Sequence, residues 1–418
     1  MHSIYVIYNL IMDAIQYSLP VDWMIYDRNQ IFDELTEAKA AIMALKTIPY
    51  QRRWVEELQK VQLKMEVAGT SRIEGADFAA NELEIALRAQ TPEQLMTRSQ
   101  RQANCAIAAY NWIATLPDDR PINLALICEM HQRIVTGCDD DHCAPGITRP
   151  KDQNVTYGAP IHRGAIGGPN CEEALQRLTA VAQSSFHAHD VIVQALALHY
   201  HFASIHPFQD GNGRTARALE ALMLQRAGLK DALFIAMSNY YYDEKRSYLE
   251  SLNAVGDAQH DLTPFLKFGL RGIALQANRL AQLIKTEVSK QIFRNLMHDL
   301  FTRLGSSRKR VIVKRQLTLL EKLLNTEGPI EFFALADAVN DDYKSRKVPL
   351  NAIVRDLNRL QALGAIRIER DDSDGKNPVW YISVRLDWPT RITEGEFFRT
   401  LAQLPKSKTY GFLSSTEP

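Results

Sequence analysis

The sequence has few cysteines and no excess of charge of either sign. Only five of its 418 residues are cysteines, too few for a disulfide framework in a chain of this length, so we expect a reducing compartment. Its 49 basic residues balance its 49 acidic residues. Nothing in the overall charge therefore favours nucleic acid or an anionic membrane, and either role would need a local patch.

Long apolar runs are also missing. No stretch approaches the ~18 uninterrupted apolar residues that predict a transmembrane helix. The apolar-rich start of the chain is interrupted by Asn9 and Asp13, and no Lys or Arg precedes Arg28, whereas a signal peptide begins with basic residues. We therefore expect a cytoplasmic protein without membrane contact. The sequence also has no Gly-x-x-x-x-Gly-Lys-Ser/Thr loop, so a P-loop kinase is not supported.

Helical periodicity dominates the first 300 residues. Apolar residues recur with a period near 3.6 in the helices predicted at residues 29–46, 53–68, 77–90, 98–115, 123–136, 171–184, 190–205, 215–227, 243–255 and 261–300. Residues 137–170 contain too many glycines and prolines for a helix. Within them, residues 154–157 and 160–162 predict a short β-hairpin around Gly158-Ala159.

The pattern changes after Gly305-Ser306-Ser307, which we interpret as a linker. Three compact helices are predicted at 317–324, 331–339 and 350–363, and two strands at 365–370 and 379–384. Three helices followed by a β-hairpin is the order of a winged-helix domain.

Residues 206–217 read His-Pro-Phe-Gln-Asp-Gly-Asn-Gly-Arg-Thr-Ala-Arg and carry the chemistry. The Gly211-Asn212-Gly213 segment leads into a predicted helix, and free backbone N–H groups at a helix start make an anion cradle. Arg214 and Arg217 are three residues apart and share a helix face. Two guanidinium groups beside such a cradle suit a polyphosphate.

Three other residues of this run have chemical roles of their own. His206 ends a predicted helix and is the natural general base, because the pKa of histidine lies near working pH. Asp210 offers a carboxylate that can hold Mg²⁺ between two phosphates. Phe208 is expected to anchor the loop in the core.

This run resembles the signature of the Fic family, His-x-Phe-x-Asp/Glu-Gly-Asn-Gly-Arg-x-x-Arg, with every defining position filled. The resemblance implies that ATP binds with Mg²⁺, that a Ser, Thr or Tyr hydroxyl of a target protein attacks the α-phosphorus, and that pyrophosphate leaves. It also implies one role for each matching residue: base for His206, Mg²⁺ ligand for Asp210, phosphate contacts for Gly211, Asn212 and Gly213, contact with the distal phosphates for Arg214, and orientation of the γ-phosphate for Arg217.

Adenine contacts lie outside this signature. The Tyr240-Tyr241-Tyr242 run offers Tyr242 for the purpose, and plain aromatic packing at a helix entry is an equally open alternative.

A second motif lies upstream, at Thr70-Ser71-Arg72-Ile73-Glu74-Gly75. It resembles the family's inhibitory helix, Ser/Thr-x-x-x-Glu-Gly/Asn. The resemblance implies that Glu74 pairs with Arg217, withholds it from the γ-phosphate and keeps AMP transfer autoinhibited. Some relatives use this glutamate to orient water and remove AMP, so a de-AMPylating hydrolase stays open as an alternative.

Gly146, Arg149 and Val155 resemble the family's flap, a hairpin on which the target docks as an added strand. We therefore expect the target near residues 146–162. The sequence leaves a homodimer open.

Two alternative sites are less favoured. Cys138, His142 and Cys143 have zinc-ligand types, but no second ligand pair exists, so we favour a polar loop there. Several histidines suggest a metal-dependent phosphohydrolase of the His-Asp type. Of these, His199 and His201 are two apart on a helix and face different ways. The candidates for that site are His187, His189, Asp190, His199 and His201.

The C-terminal region raises a non-enzymatic alternative, a DNA-binding regulator in which the Fic core is accessory. The predicted recognition helix offers Asn351, Arg355, Asn358 and Arg359, together with Asp356. The basic runs Arg308-Lys309-Arg310 and Lys314-Arg315 are candidates for phosphate contacts. We favour docking or accessory regulation over specific DNA readout.

The fold expected is mostly α: a Fic-type helical core with a short β-hairpin flap, plus a C-terminal winged-helix (α+β) domain. We divide the chain into an N-terminal helical region with the inhibitory helix at about 60–80, a catalytic core, a winged-helix-like domain and a tail. Their ranges are 1–115, 116–300, 306–390 and 391–418.

Overall fold

The computed structural model describes most of the chain, with gaps. The described residues are 15–48, 52–75, 80–89, 94–151, 153, 155–157, 162–229, 235–257, 259–303, 307–344, 349–373 and 378–404. The predicted hairpin turn at Gly158-Ala159, most of the predicted linker and the end of the predicted tail lie outside them. The chain forms two compact units, Met1–Gln282 and Leu283–Pro418.

The first unit is helical, as the apolar periodicity predicted. Its helices are α1 (Phe32–Thr47), α2 (Arg52–Ile73), α3 (Ala80–Arg88), α4 (Arg98–Thr115), α5 (Leu124–Val135), α6 (Pro169–Ala182), α7 (Val191–Ile205), α8 (Asn212–Leu224), α9 (Met237–Asp243), α10 (Lys245–Asp257) and α11 (Thr263–Thr302), the last of which continues into the second unit. A 3-10 helix at Ser185–Ala188 and a π-helix at Gln225–Leu229 connect some of them.

Three of these helices differ from the prediction in ways that bear on the site. Helix α2 runs on to Ile73, so Glu74 lies directly after its last residue. Helix α8 begins at Asn212, three residues before the predicted start. A short separate helix, α9, precedes α10 and contains the three tyrosines; the backbone N–H of Ser238 near its start donates to the buried carboxylate of Glu66 at 2.8 Å.

Helix α7 occupies the centre of this unit and packs against α8. It is buried on nearly all sides, including at Ala195, Phe202 and Ile205. Because α7 ends at Ile205 and α8 begins at Asn212, the loop between them is carried by two rigid, buried elements.

The predicted hairpin strands are confirmed. Strands β2 (Thr156–Tyr157) and β3 (His162–Arg163) pair antiparallel, with Tyr157 opposite His162. A strand that we did not predict, β1 (Ile15–Gln16), pairs parallel with the other edge of β3, so the order in the sheet is β1-β3-β2. Its two residues are too few to give an alternating apolar pattern.

The second unit contains the three helices and two strands predicted for residues 317–384, in that order, and adds a short strand at Ile330–Glu331 and a short helix at Asn340–Tyr343 that we did not predict. Its elements are α12 (Ser307–Leu324), β4 (Ile330–Glu331), α13 (Phe332–Ala338), α14 (Asn340–Tyr343), α15 (Pro349–Ala362), β5 (Ile366–Asp371), β6 (Val379–Val384), α16 (Trp388–Arg391) and α17 (Glu394–Gln403). The strands form a sheet in the order β4-β6-β5. A core that includes Phe332, Leu357 and Trp388 holds these elements together.

One expectation for this unit is wrong. Arg315 was a candidate for phosphate contact, but it is 5% exposed and its Nη2 lies 2.8 Å from Oδ2 of Asp356. Asp356 in turn is fully buried and accepts a hydrogen bond from Tyr343. Helix α12 begins at Ser307 rather than at 317, so Arg315 lies within the helix and not in the predicted linker region before it. Its side chain faces the core of the unit.

No helix in the described ranges combines the length with the apolar character that spanning a bilayer requires.

Candidate active site

His206 caps the C-terminus of α7 in a left-handed conformation, with φ 53° and ψ 56°. Its Nδ1 lies 3.1 Å from the carbonyl oxygen of Ala203, which can only accept, so Nδ1 carries the proton and Nε2 is the free acceptor. Burial lowers the pKa of His206 to about 4. The imidazole is therefore neutral at physiological pH, as a general base must be.

Arg149 holds the backbone around His206. This arginine is 1% exposed, and its guanidinium donates to the carbonyl oxygens of His206 at 2.8 Å, of Gln153 at 2.6 Å and of Ala165 at 2.6 Å. Its own backbone N–H donates to the carbonyl of Pro207 at 2.9 Å. Arg149 therefore lies beneath the loop and ties the segment before the hairpin to the end of α7.

The loop itself is closed by Asn212. The side-chain oxygen of Asn212 accepts from the backbone N–H of Phe208 at 2.9 Å, and its amide donates to the carbonyl of Phe208 at 2.8 Å. Phe208 is fully buried, as predicted. Both ends of the Asn212 side chain are thus engaged within the loop. Backbone N–H groups of the first turn of α8 have no partner within the helix and can face an anion.

His131, which the sequence did not single out, supports the loop from α5. Its Nε2 donates to the backbone carbonyl of Asp210 at 3.0 Å, and its Nδ1 accepts from the N–H of Gly146 at 2.9 Å. Its ring stacks on Phe208 with centroids 3.6 Å apart. Burial lowers the pKa of His131 to about 4, so this histidine is neutral and its role is to support the loop.

Asp210 presents a half-exposed carboxylate at the start of α8. Its oxygens lie 3.4 Å from Nη2 of Arg214 and 3.6 Å from Nη2 of Arg98. Among the described residues no group of three or more His, Cys, Asp or Glu side chains is arranged to hold a metal. A single accessible carboxylate fits Mg²⁺, which takes most of its ligands from phosphates and water.

Arg214 is fixed by Asp139, a residue that we had assigned to a polar loop. Asp139 is fully buried; its Oδ2 lies 2.5 Å from Nη1 of Arg214 and its Oδ1 lies 2.6 Å from Nη2 of Arg98. Burial alone would raise the pKa of Asp139, but the attraction of Arg214 outweighs it and the pKa falls to about 2. The segment 138–143 is therefore partly internal, because two arginines need its carboxylate.

Arg217 faces a different partner, the end of α2. Its Nη2 lies 2.5 Å from Oε1 of Glu74, and its Nε donates to the hydroxyl of Thr70 at 2.8 Å. Arg217 is 3% exposed, whereas the Glu74 side chain is 36% exposed. The structure thus brings together the two residues that the sequence motifs paired.

The carboxylate of Glu74 lies directly over the anion cradle. A Cβ at Gly213 would collide with Oε1 of Glu74 and come within 3.1 Å of Nη1 of Arg217, so the ends of both side chains lie against this turn of the helix. Burial alone would raise the pKa of Glu74, but the attraction of Arg217 lowers it below its usual value. The carboxylate is charged at neutral pH.

Glu66 anchors the same helix two turns earlier. It is 1% exposed and accepts from the hydroxyl of Tyr110 at 2.7 Å, from the N–H of Ser238 at 2.8 Å and from the hydroxyl of Ser238. Burial raises the pKa of Glu66 to about 7. The sequence offered no signal for this contact, because its partners lie far apart along the chain.

Of the three tyrosines at 240–242, two are buried and Tyr242 is 37% exposed, with Arg72 5.5 Å from its ring centre. The histidines of the alternative phosphohydrolase site do not converge. His199 contacts Glu220 and Tyr248, whereas His201 donates to the carbonyl of Trp23 at 2.8 Å.

Comparison with known proteins shows similarity to the Fic/DOC family. Residues 121–224 match the sequence model of the Fic/DOC family. A protein adenylyltransferase Fic from Culex quinquefasciatus is 40% identical over 88 residues, which are 21% of this chain and 16% of that protein. The protein adenylyltransferase fic-1 of Caenorhabditis briggsae is 25% identical over 195 residues, 46% of this chain and 34% of that protein. The chain thus matches about a third or less of the length of these relatives.

Solved structures support the fold. Fic-1 (aa134 - 508) from C. elegans superposes with a TM-score of 0.51 at 21% identity, covering 61% of this chain and 73% of that chain. A Fic family protein from Desulfovibrio desulfuricans G20 covers 88% of this chain and 98% of its own, with a TM-score of 0.53 and 17% identity.

Proposed function

Because residues 121–224 form a domain of the Fic/DOC family, we propose that this chain is a protein adenylyltransferase that transfers AMP from ATP to a Ser, Thr or Tyr hydroxyl of a target protein. One observation carries the proposal. His206, whose Nε2 is the acceptor nitrogen, follows the last residue of α7, and α8 begins at Asn212. One short loop therefore connects the base to the anion cradle. Curated relatives with this domain are named protein adenylyltransferases.

The reaction needs positioned groups more than covalent chemistry by the protein. His206 takes the proton of the target hydroxyl through Nε2 as the hydroxyl oxygen forms a bond to the α-phosphorus of ATP. The bond from the α-phosphorus to the bridging oxygen breaks, and pyrophosphate leaves with that oxygen. The product is a phosphodiester between AMP and the target side chain.

The phosphates are held by the start of α8. Backbone N–H groups of Asn212 and Gly213 and the positive end of the helix favour negative charge there, whereas the N–H of Gly211 donates to Oδ1 of Asp210 at 2.6 Å. Arg214 is suited to the distal phosphates, since its Nε is buried and has no hydrogen-bond partner among the described residues. Asp210 would hold Mg²⁺, which neutralises phosphate charge when bound. Tyr242 stays our candidate for adenine.

We further propose that the resting chain is autoinhibited. Arg217 cannot orient a γ-phosphate while Thr70 and Glu74 occupy its guanidinium. ATP can still bind, but with its α-phosphorus misaligned. Moving such a two-state equilibrium from 1:99 to 99:1 takes ~5.5 kcal/mol. Breaking a fully buried pair costs ~3–5 kcal/mol, and this pair costs less because the Glu74 side chain is part exposed, so a partner or the target can relieve the inhibition.

The target would dock on the outer edge of β2. The N–H of Gly164 donates to the carbonyl of Val155 between β3 and β2. On the other side of β3, the carbonyl of Arg163 accepts from the N–H of Tyr17, the residue after β1. Because such bonds alternate along an antiparallel pair, the backbone groups of Thr156 face away from β3. An extended segment can add to that edge. The opposite edge of β3 is filled by β1.

Mass spectrometry after incubation with ATP, Mg²⁺ and a cell lysate tests the proposal. We expect Glu74→Gly protein to add AMP to itself or to lysate proteins, and the double variant Glu74→Gly/His206→Ala to add none while still binding ATP. The absence of any AMP adduct with folded Glu74→Gly protein would refute the activity. Full activity in the double variant would remove His206 as the base.

For the second unit we propose a winged-helix type module for docking or accessory regulation; the three predicted helices followed by the β5-β6 hairpin support it. The domain ranges 1–115, 116–300, 306–390 and 391–418, and a homodimer, also stay proposals.

A further inference from the structure

Tyr157, on strand β2 of the hairpin, lies flat against the ring of His206. The two ring centres are 4.3 Å apart and the ring planes differ by 7°. The hydroxyl of Tyr157 donates to the carbonyl oxygen of Ser204 at 3.1 Å, in the last turn of α7. Tyr157 therefore contacts both the imidazole and the helix end that carries it.

The chain after the hairpin also touches His206 closely. A Cβ at Gly164 would lie 2.8 Å from Cβ of His206 and 2.8 Å from the carbonyl oxygen of Ile205. Only glycine allows this approach, so the exit of β3 and the end of α7 pack without a gap. Tyr157 pairs with His162 on β3, two residues before Gly164. The packing of Gly164 against the end of α7 therefore also fixes the position of the Tyr157 ring.

We propose that Tyr157 is a positioning residue for AMP transfer, which fixes the plane of the His206 ring so that Nε2 faces the reacting hydroxyl. The inference rests on the proposed function of His206 as base. The hydrogen bond to Ala203 sets the direction of Nδ1, but a single bond leaves the ring free to tilt about it. Stacking against Tyr157 removes that freedom.

The ring of Tyr157 carries this role and its hydroxyl does not. The hydroxyl is engaged with Ser204, and burial raises the pKa of Tyr157 well above its usual value, so it exchanges no proton near neutral pH. The proposal thus predicts that phenylalanine replaces Tyr157 and that a side chain without a ring does not.

Two measurements on the full chain test the inference. The first is the titration and tautomer of the His206 ring, read from long-range ¹H–¹⁵N spectra and assigned by comparison with His206→Asn. The second is AMP transfer in the Glu74→Gly background, resolved into kcat and KM for ATP. The variants are Tyr157→Leu, Tyr157→Met as a second substitution without a ring, and Tyr157→Phe.

In Tyr157→Leu and Tyr157→Met we expect the pKa of His206 to rise toward the usual histidine value, because one face of the ring gains solvent. The titration uses the chain with Glu74 present, so the charged groups that act on this ring, Arg149, Glu74 and Asp210, are the same in every titrated variant. We expect kcat to fall about tenfold or more with KM for ATP unchanged, since misplacement of a catalytic group by ~1 Å costs up to ~100-fold. Tyr157→Phe should match the parent in both measurements.

Tyr26→Leu is the matched control, because Tyr26 also packs against a histidine, His189, which lies outside the motif and meets it edge-on rather than flat. It should leave the titration of His206 and kcat unchanged. The inference is overturned if Tyr157→Leu and Tyr157→Met keep both the titration and kcat of the parent, or if Tyr157→Phe loses as much as they do. If the Glu74→Gly parent transfers no AMP, the proposed function fails, while the titration still decides whether Tyr157 orients the ring.

Discussion

The hydroxyl of Thr70 accepts a hydrogen bond from Nε of Arg217 at 2.8 Å, one helical turn before Glu74 reaches the same guanidinium. Helix α2 therefore grips Arg217 at two points, one neutral and one charged. Both contacts lie on one face, since residues four apart on a helix are neighbours. The contact proposed to inhibit AMP transfer is thus broader than the glutamate alone.

Thr70→Val should partly relieve inhibition. The substitution keeps the branched shape but removes the acceptor, and a hydrogen bond to a charged group contributes ~1.5–3 kcal/mol. We expect AMP transfer to rise about tenfold over the wild-type chain, because 1.4 kcal/mol is a factor of ten in an equilibrium. Glu74→Gly should raise it further. Radiolabelled AMP incorporation measures both.

The control is Ser71→Ala, at a buried neighbour whose hydroxyl has no hydrogen-bond partner among the described residues. Transfer equal to wild type is expected there. Equal transfer in Thr70→Val as well would mean that Thr70 adds nothing to the inhibition.

Asp139→Asn should weaken both stability and AMP transfer. It removes the charge that faces Arg214 and Arg98, and breaking a buried pair costs ~3–5 kcal/mol. We expect a loss of that order in the free energy of unfolding, measured with denaturant at pH 7, and at least tenfold lower transfer in the Glu74→Gly background. Asp141→Asn, at a carboxylate with a 78% exposed side chain, is the control and should change neither.

The stabilisation by Asp139 should depend on pH with a definite sign. Its pKa is lowered to about 2, so its stabilising effect is present above the usual aspartate pKa and is lost as pH falls through about 2. The difference in unfolding free energy between wild type and Asp139→Asn should therefore stay constant from pH 7 to 5 and shrink under strongly acid conditions. A difference that grows on acidification would contradict the assignment.

The acid limb of AMP transfer should lie well below the usual histidine value of ~6.5. Burial lowers the pKa of His206 to about 4, and the base is lost only as pH falls through that value. Glu74 raises this pKa, so in the Glu74→Gly protein the limb can only move lower still. A profile of kcat/KM against pH, which reports the pKa of the free enzyme, tests this, with circular dichroism to verify folding. A midpoint near 6.5 would show that the ring is solvated in the free enzyme.

Arg149→Met should destabilise the loop that follows His206. The substitution keeps an apolar stem but removes hydrogen bonds to four backbone carbonyls, including that of the left-handed His206. Each such bond contributes ~1.5–3 kcal/mol. We expect a loss of several kcal/mol in unfolding free energy and little AMP transfer in the Glu74→Gly background. The exposed neighbour Lys151→Met should behave like its parent. Unchanged stability in Arg149→Met would show that Arg149 does not hold the loop.

The second unit should not retain DNA in a salt-resistant, sequence-dependent way. Arg315 is buried against Asp356 and cannot reach a phosphate, which removes one of the basic contacts that such binding needs. A gel shift at ~150 mM salt with the full chain checks this. Sequence-dependent retention at that salt would instead favour the regulator alternative.

The amino-acid sequence alone determined the parts of this protein that depend on neighbouring residues. The run from His206 to Arg217 predicted a histidine at a helix end, a glycine-rich turn and two arginines on one helix face, because caps and helical spacing are local properties. The same holds for the helices of the first unit and for strands β2 and β3. Sequence motifs also paired Glu74 with Arg217, although the pairing came from a family resemblance and not from spacing.

Only the tertiary structure decided which distant side chains hold the site. Asp139 looked like one of three acidic residues in a polar loop, yet it is buried beneath Arg214 and Arg98. Tyr157 and His206 are 49 positions apart, and no local pattern shows that their rings stack. Such contacts arise because a buried charge or ring must find a partner wherever the packed helices present one, and that choice depends on the whole fold rather than on neighbours in the chain.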